Sequence, residues 1–353
     1  MTKVRLSALA GIGHTSNGTT YATSLAEQIR YLRELEAMGL LHIAGTSDAM
    51  ENGMCGGLAL TAEHTTHAMV GPVMATPASK NPTVAAGEIM MTNWVSGGRA
   101  FFGLGTGRGV VTASLRQYGR KPATLAELRE YALAVKGLCA GEEVDYQGHR
   151  LSIWGFEPSP VPLYLDVSGP KSARLAGEIA DGVVTAYGIS RDAVTQLETG
   201  LAEGAAAGGR DASAVDVWHI PTTMVADTEA EAIDRLKFYL AMRINSIFKY
   251  PKEKGVPEHL LGAVAEFQRE FRPAEHGKYE LGYNGALLDR LGLTDWIAQR
   301  QVLAGPPGRL VERIQEVSEY GVRNIVFALW GESNEHRLRN ARIIADHVLP
   351  AIS

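Results

Sequence analysis

Short apolar runs alternate with amphipathic helical stretches along most of the sequence, and this alternation limits the possible folds more than any other feature. Eight such runs can be counted, and nearly every one is followed by a helical pattern. They lie at the N-terminus and at residues 41–47, 67–74, 99–104, 162–167, 182–186, 215–225 and 324–329. Continuous apolar runs are typical of buried parallel strands. Eight strand-then-helix units without a break in composition predict one α/β domain over residues 1–353, a (β/α)8 TIM barrel.

Capping residues predict where several helices begin. Three pairs have the spacing of a capping box: Ser24 with Glu27, Thr124 with Glu127, and Thr228 with Glu231. Asn81 followed by Pro82 has the pattern of an N-cap with proline in the first turn. We therefore expect a first helix over about residues 23–38, and further helices after Asn81, Thr124 and Thr228.

Two segments interrupt the alternation. Residues 142–154 alternate about Gln147-Gly148, which predicts a surface hairpin. Residues 243–300 mix loop-like stretches with a charged, aromatic stretch at Glu266–Arg272 that we expect to be helical. We therefore predict a helical insertion between the seventh and eighth strands, acting either as a lid or as a partner surface.

Charge and hydropathy exclude several classes of protein. The chain has 34 basic and 39 acidic side chains and a net charge of −5, so it offers no cationic surface to nucleic acid. No run reaches the roughly 18 consecutive apolar residues that cross a bilayer. The N-terminal apolar run is short and is interrupted by Ser7 and glycines, unlike a signal peptide. We expect a cytoplasmic protein that binds neither nucleic acid nor membrane.

The sequence lacks the common metal and nucleophile motifs. Its ten histidines form no HxH or HExxH pattern, and Cys55 and Cys139 have no CxxC partner. There is no GxSxG nucleophile motif either. We expect no metal site, and serine hydrolase chemistry is disfavoured.

In a TIM barrel, the chemistry lies at the carboxyl ends of the strands and in the loops that follow them. This rule selects seven short groups of residues that come directly after predicted strands. They are His14, Thr46–Asp48, Val73–Thr76, Gly105–Arg108, Ser168–Lys171, Thr185–Tyr187 and Trp330–Glu332.

Two of these groups have patterns that suit a ligand. Residues 103–109 are rich in glycine but lack the last glycine of GxGxxG, so they form either a tight turn or a place where backbone approaches a planar ligand. Ser168-Gly-Pro-Lys-Ser172 lies between a strand and a helix. Its N–H groups, the helix dipole and the Lys171 ammonium suit an anion, and a helix cap with a solvated lysine is the alternative.

Several ordered motifs give the sequence a family resemblance. They are Gly98-Arg-Ala-Phe-Phe-Gly-Leu-Gly-Thr-Gly107, Gly119-Arg-Lys-Pro122, and the segments 141–148 and 161–183. Together they resemble the bacterial luciferase-like superfamily, and most of all its branch of methylenetetrahydromethanopterin reductase and other enzymes of the deazaflavin coenzyme F420. The resemblance covers residues 25–190 well and the last strand and helix more loosely.

The resemblance implies a barrel that binds coenzyme F420 or FMN in its mouth, usually within a homodimer. It implies a non-proline cis peptide on the third strand, and four residues there against the ring, two behind it and two beside it: Val73, Met74, Ala75 and Thr76. The loop after the fourth strand is implied to lie by the cofactor through Gly105, Thr106 and Gly107. The implied phosphate-binding turn consists of Ser168, Gly169, Pro170 and Lys171.

Candidate catalytic and substrate residues follow from position. Family members that act on sugar phosphates place a histidine after the aspartate of the second-strand loop, whereas here Asp48 precedes Ala49. This argues against sugar-phosphate dehydrogenation, and Asp48 stays a candidate contact for cofactor or substrate. His14 is a candidate to protonate or orient a substrate, the alternative being a loop bystander. Trp330 is a candidate wall of an apolar substrate pocket, the alternative being core packing.

The sequence therefore predicts a luciferase-like oxidoreductase that transfers hydride between coenzyme F420 and a small organic substrate. With FMN instead, the protein would be a monooxygenase that uses O2 and receives reduced flavin from a separate flavin reductase. A barrel that binds a flavin without catalysis, as a carrier or sensor, is the third possibility.

Overall fold

Twelve strands are found in the residues that the structure, a computed structural model, describes: 4–12, 24–46, 54–107, 119–155, 157–275, 282–331 and 333–352. The strands are β1 Arg5–Ala8, β2 Ile43–Ala44, β3 Met69–Val70, β4 Phe102–Leu104, β5 Val144–Tyr146, β6 His149–Leu151, β7 Leu163–Asp166, β8 Gly182–Thr185, β9 Asp216–His219, β10 Thr222–Val225, β11 Val302–Gly305 and β12 Asn324–Leu329.

Helices follow most of the strands. They are α1 Leu25–Ala37, α2 Met54–Glu63, α3 Pro82–Val95, α4 Leu125–Cys139, α5 Pro170–Ile179, α6 Arg191–Ala207, α7 Glu229–Ile247, α8 Leu261–Glu270, α9 Tyr283–Arg290, α10 Thr294–Gln301, α11 Pro307–Glu319, α12 Asn334–Ile343 and α13 Leu349–Ile352, with a π-helical turn at Ile344–Val348. None of the helices in the described ranges is long and apolar enough to cross a membrane.

Parallel pairing joins the strands into a closed ring. The order β4, β7, β8, β9, β12, β1 is continuous, and β2 pairs with β3. Two isolated bridges, one of them Ala75 with Leu104, join the β3 region to the β4 region. The ring closes between β1 and β2 through hydrogen bonds such as that from the Gly45 N–H to the Ala10 carbonyl, at 2.9 Å. The predicted (β/α)8 barrel is confirmed.

The seventh strand of the barrel differs in detail from the sequence-based expectation. Residues 215–225 were expected to form one strand, and the structure divides them into β9 and β10 around Pro221. Proline has no N–H to donate, so the ladder is interrupted there. The register against β12 is nevertheless kept, because Trp218 pairs with Asn324 and Thr222 with Ala328. Counted as one barrel strand, β9 and β10 complete the predicted eight.

One short strand was missed from the sequence. β11 pairs with β10 in parallel over four residues, beside the barrel strand rather than within the ring. It directly follows α10, and Pro306 and Pro307 come immediately after it. A run of four residues between two helices gives little periodicity to recognise.

The local signals in the sequence predicted the helix starts correctly. Ser24 with Glu27 and Thr124 with Glu127 form reciprocal capping boxes, and the Asn81 side chain accepts from the Val84 N–H at the start of α3. The hairpin of β5 and β6 turns at Gln147 and Gly148, whose φ angles are 50° and 76°. Positive φ at both central residues is typical of a two-residue hairpin turn.

Residues 243–300, the predicted insertion, are largely helical where the structure describes them. They comprise the end of α7, all of α8 and α9, and most of α10. The stretch expected to be helical, Glu266–Arg272, is helical up to Glu270, where α8 ends. A buried apolar cluster that includes Phe238, Phe248 and Phe267 packs this region against the barrel. Its function as a lid or a partner surface stays a prediction.

Strand alternation decides which side chains fill the barrel. One buried cluster comprises six inward-facing residues, each from a different barrel strand: Ile43, Phe101, Tyr164, Val184, Trp218 and Val326. Leu163 and Leu165, the neighbours of Tyr164, belong instead to the cluster between strands and outer helices. Successive residues of a strand face opposite sides, so the residue two positions after each inward one faces the mouth.

Candidate active site

Four glycines take inward-facing positions within or just after the first four strands, towards the mouth. They are Gly11, Gly45, Gly71 and Gly103, which we call the glycine wall. A Cβ atom added to any of them would lie 1.8 to 2.1 Å from a carbonyl oxygen of a neighbouring segment of backbone. No larger residue fits at such an approach. The backbones of neighbouring strands therefore lie too close together at these four positions for any side chain.

The residues after β3 and β4 meet beside the glycine wall. The peptide bond Val73–Met74 is cis, as the resemblance implied. The Ala75 N–H donates to the Gly103 carbonyl, and the Gly105 N–H donates to the Ala75 carbonyl, both at 2.9 Å. Five predicted cofactor residues, Val73, Met74, Ala75, Gly105 and the neighbouring Thr106, therefore follow two adjacent strands at the same edge of the barrel.

Thr76 and Gly107 are in direct contact. Thr76 is buried, and Gly107 has a φ of 74°, a conformation in which a side chain is strained. A Cβ atom at Gly107 would lie 2.4 Å from the Thr76 Oγ1 atom. The structure thus brings together the residues after β3 and after β4 that are predicted to contact the cofactor. The contact with Thr76 also leaves no room for a side chain at residue 107.

The turn after β7 leads directly into α5 and is held by hydrogen bonds at the N-terminus of that helix. Gly169 is the residue before the helix and is extended, with a φ of 160°. The Ser168 N–H donates to the Ser172 hydroxyl at 3.1 Å, and that hydroxyl donates to the Gly169 carbonyl at 2.9 Å. Pro170, the first helical residue, has no N–H to leave unsatisfied. The predicted turn exists, with its backbone at the positive end of the helix dipole.

The cation at this turn is Lys254 rather than Lys171. The Lys171 side chain is 78% exposed, and its Nζ atom lies 2.7 Å from the Glu253 carboxylate. The Lys254 Nζ atom donates to the Ser168 carbonyl and lies 3.3 Å from the Ser168 hydroxyl oxygen. The sequence predicts Lys171 as the cation of this turn, and Lys254 leaves no local pattern because it lies 86 positions from Ser168. Binding of a ligand by Lys171 stays a prediction.

Tyr187 holds the backbone that carries Lys254. Its hydroxyl lies within hydrogen-bond distance of the Lys254 carbonyl, at 2.7 Å, and of the Gln196 side chain. The buried Arg300 guanidinium stacks on the Tyr187 ring, 4.6 Å from its centroid, and is paired with Asp192. Tyr187 follows β8 directly, so the barrel rim itself fixes the position of the Lys252–Lys254 turn.

Asp166 is a further carboxyl group in the mouth. It is the last residue of β7, and it lies two positions after the inward-facing Tyr164. A Cβ atom at Gly105 would lie 3.2 Å from the Asp166 Cβ atom and 3.6 Å from the Met74 Cβ atom. Burial raises the pKa of the Asp166 carboxyl to about 6, although the positive charges of Lys254 and Arg243 act to lower it. Asp166 was not among the predicted site residues, although its place at a strand end is a usable signal.

Trp330 lies in core packing. It is 4% exposed, and its ring contacts Phe238, with 6.5 Å between centroids, and His336, with 6.0 Å. The Arg235 guanidinium lies 5.1 Å from its ring centroid. These contacts fit the core-packing alternative for Trp330, and a substrate wall at this position stays a prediction.

Two predicted catalytic residues, His14 and Asp48, lie outside the described residues. Their placement relative to the mouth therefore stays a prediction. Among the residues that are described, no three histidine, cysteine, aspartate or glutamate side chains are grouped so that they could hold a metal ion.

The closed parallel barrel, with glycines, a helix N-terminus and a partly buried carboxyl group at one end, defines a protein of the α/β-barrel class. The chain belongs to the luciferase-like monooxygenase family, whose model matches residues 4–324. It is 27% identical over 305 residues to the 5,10-methylenetetrahydromethanopterin reductase of Methanolobus tindarius, across 84% of this chain and 88% of that enzyme. The chain is accordingly a luciferase-like oxidoreductase.

Two solved structures resemble the whole fold. One is the coenzyme F420-dependent tetrahydromethanopterin reductase of Methanopyrus kandleri, with a TM-score of 0.74 and 20% identity over 99% of this chain and 100% of that one. The other is an F420-dependent secondary alcohol dehydrogenase in complex with an F420–acetone adduct, with a TM-score of 0.70 and 16% identity over 99% of both chains. At these identities the likeness concerns the fold.

Proposed function

We propose that this protein transfers hydride between coenzyme F420 and a small organic substrate. The observation that carries the proposal is that Met74, Ala75 and the Gly105–Gly107 loop meet beside the glycine wall, at one edge of a luciferase-like barrel. A relative described as an F420-dependent glucose-6-phosphate dehydrogenase, 25% identical over 276 residues, supports the choice of cofactor.

The residues of the mouth fit a tricyclic cofactor with a phosphate in its tail. The ring would lie against Val73 and Met74, with Ala75, Thr76 and Gly105–Gly107 at its edge. The phosphate would lie at the Ser168–Pro170 turn, where the positive end of the α5 dipole and the Lys254 ammonium favour an anion. When bound, the cofactor supplies the hydride acceptor or donor. The protein orients both reactants and excludes water from the buried side of the mouth.

FMN is the alternative cofactor, because the matching family model describes luciferase-like monooxygenases. The same phosphate turn would serve FMN, so the turn itself does not separate the two cofactors. With FMN the protein would activate O2 and depend on a separate flavin reductase. A barrel that only binds flavin would show affinity without turnover.

Side-by-side binding measurements decide between these functions. Purified protein is titrated with F420 and with FMN, and the cofactor fluorescence gives the two affinities. Turnover is then followed at 420 nm with 2-propanol, methylenetetrahydromethanopterin and glucose 6-phosphate as candidate substrates. Tight F420 binding with bleaching at 420 nm supports hydride transfer. Preferential FMN binding with O2 uptake by the reduced complex would overturn it in favour of the monooxygenase.

We further propose that the protein is a homodimer, as luciferase-like enzymes often are. The outer face of α3 exposes apolar side chains at helical spacing: Val84 is 47% exposed, Met91 39% and Trp94 78%. Exposed apolar patches of this kind mark association surfaces. Light scattering after size exclusion gives the oligomeric state, and Trp94→Glu would convert a dimer that uses this face into a monomer.

A further inference from the structure

Asp166 faces the place where the proposed cofactor and substrate would meet. It lies two positions after the inward-facing Tyr164 on β7, and a Cβ atom added to Gly105 would lie 3.6 Å from both the Asp166 Oδ2 atom and the Met74 Cβ atom. It is partly reached by solvent, unlike the residues just before it on the same strand. A carboxyl group at this end of a barrel strand is placed to reach a ligand in the mouth.

The Asp166 carboxylate differs from that of Asp216, another aspartate of the barrel wall, in having no hydrogen-bond or ion-pair partner in the described part of the chain. Asp216, at the opposite end of the barrel, accepts hydrogen bonds from Tyr164 and Trp218 and pairs with Arg5. The side chain of Asp166, in contrast, makes no hydrogen bond or ion pair within the described part of the chain, although its backbone pairs with Val184 in the sheet. An enclosed carboxylate without partners is costly, and proteins keep such groups at functional sites.

Two cations act on Asp166 without contacting it. Lys254 comes from the turn between α7 and α8, and Arg243 comes from the last turns of α7. Both favour the carboxylate, while the surrounding protein favours the neutral acid. These opposing effects hold the pKa of Asp166 close to physiological pH, which suits a group that both takes and returns a proton.

We propose that Asp166 exchanges a proton with the ligand in the mouth and is the acid–base residue of the reaction. The inference rests on the proposed function. In the oxidation of an alcohol, the carbon-bound hydrogen leaves with its electron pair as hydride to the cofactor, and the C=O bond forms. The hydroxyl proton passes to the Asp166 carboxylate, which later releases it to water. In the reverse direction, protonated Asp166 supplies that proton to the carbonyl oxygen.

The first test measures protons rather than turnover. F420 is titrated calorimetrically into wild type, Asp166→Asn and Asp145→Asn at pH 5 to 8, in buffers with different ionisation enthalpies. Asp145 lies on the exposed β5–β6 hairpin and serves as the matched control. Wild type and Asp145→Asn are expected to exchange protons on binding between pH 5 and 7, and Asp166→Asn is expected not to. Equal proton exchange in all three proteins would overturn the inference.

A second measurement covers the case in which Asp166→Asn does not fold. Carbon-13 NMR of the aspartate carboxyl groups in wild type follows a titration near pH 6, whose midpoint is expected to move when F420 is added. Asp166→Glu, which keeps the carboxyl, identifies the signal by displacing it. A midpoint that F420 leaves unchanged contradicts the proposal.

Different results would reject the acid–base role of Asp166 and the proposed F420-dependent function. If F420 does not bind wild type, both hypotheses are rejected. If F420 binds and alcohol oxidation proceeds in Asp166→Asn with the wild-type rise in kcat/KM through pH 6, only the role of Asp166 falls. The expected result is loss of that rise, with kcat at least about 100-fold lower.

Discussion

The ammonium group of Lys254 donates a hydrogen bond to the carbonyl oxygen of Ser168, across 86 positions of the chain. This contact places a cation from the segment between β10 and β11 at the turn that opens α5. Lys171, which lies within the turn in sequence, is held by Glu253 instead. The predicted insertion therefore adds a second lysine to the proposed phosphate site, and the role of Lys171 in anion binding stays a prediction.

Replacing Lys254 should weaken the binding of F420 more than replacing Lys171 does. We expect Lys254→Ala to reduce F420 affinity by about 10-fold or more, because a charge-assisted hydrogen bond contributes roughly 1.5–3 kcal/mol. Lys171→Ala should change it by less than about 3-fold, since exposed ion pairs contribute little. Fluorescence titration measures both, with the exposed Lys252→Ala as control. A larger loss in Lys171→Ala would show that the local lysine binds the phosphate.

The glycine wall should not tolerate a methyl group. A Cβ atom at Gly103 would lie 1.9 Å from the Pro72 carbonyl oxygen, so Gly103→Ala must displace backbone. We expect it to destabilise the fold by about 2 kcal/mol or more and to abolish F420 binding. Gly87, inside α3, has open space around its Cβ position, and Gly87→Ala should stabilise by up to about 1 kcal/mol. Thermal unfolding compares the two, and a stable, cofactor-binding Gly103→Ala would refute the close approach.

Glu36 should stabilise the fold in a pH-dependent manner. Its carboxylate accepts from the backbone N–H groups of Thr66, His67 and Ala68, which fixes the loop before β3. Burial raises the pKa of Glu36, but these hydrogen bonds together lower it below its ordinary value. The stabilisation is thus present above the unfolded-state pKa and is lost as the pH falls through the folded-state one.

Glu36→Gln should accordingly lower the free energy of unfolding by about 1–2 kcal/mol at pH 7, and by less at pH 4. Urea unfolding at both pH values measures the difference, with the exposed Glu130→Gln as a control for the loss of one negative charge. A cost that is the same at both pH values would mean that the carboxylate form is not required.

Ionisation of Asp166 should destabilise the fold, whereas ionisation of Glu36 stabilises it. The folded-state pKa of Asp166 is raised, so the ionised carboxyl destabilises the fold, and the penalty appears as the pH rises towards and beyond about 6. The difference in the free energy of unfolding between Asp166→Asn and wild type should therefore shift in favour of the variant by about 1–2 kcal/mol as the pH rises from 4 to 8. Thermal unfolding of both proteins across this range provides the measurement. A constant difference would place the pKa of Asp166 in its ordinary range.

Local features of the fold could be predicted from the sequence because their causes lie within a few residues. The capping boxes at Ser24 and Thr124, the N-cap at Asn81 and the turn at Gln147-Gly148 are examples. The number and order of the barrel strands followed from the repeated apolar runs. The positions of most of the candidate site followed too, because parallel strands bring their carboxyl ends to one edge.

Only the tertiary structure decided how those positions are used. The sequence by itself determined that glycines follow the strands, and the packed barrel decided that their missing side chains are what lets adjacent backbones touch. The packing also places Asp166 at the mouth end of β7, Lys254 against Ser168, and Lys171 against Glu253. These relationships depend on strand register and on helices packing across the barrel. They join residues far apart in the chain, so no short stretch of sequence contains them.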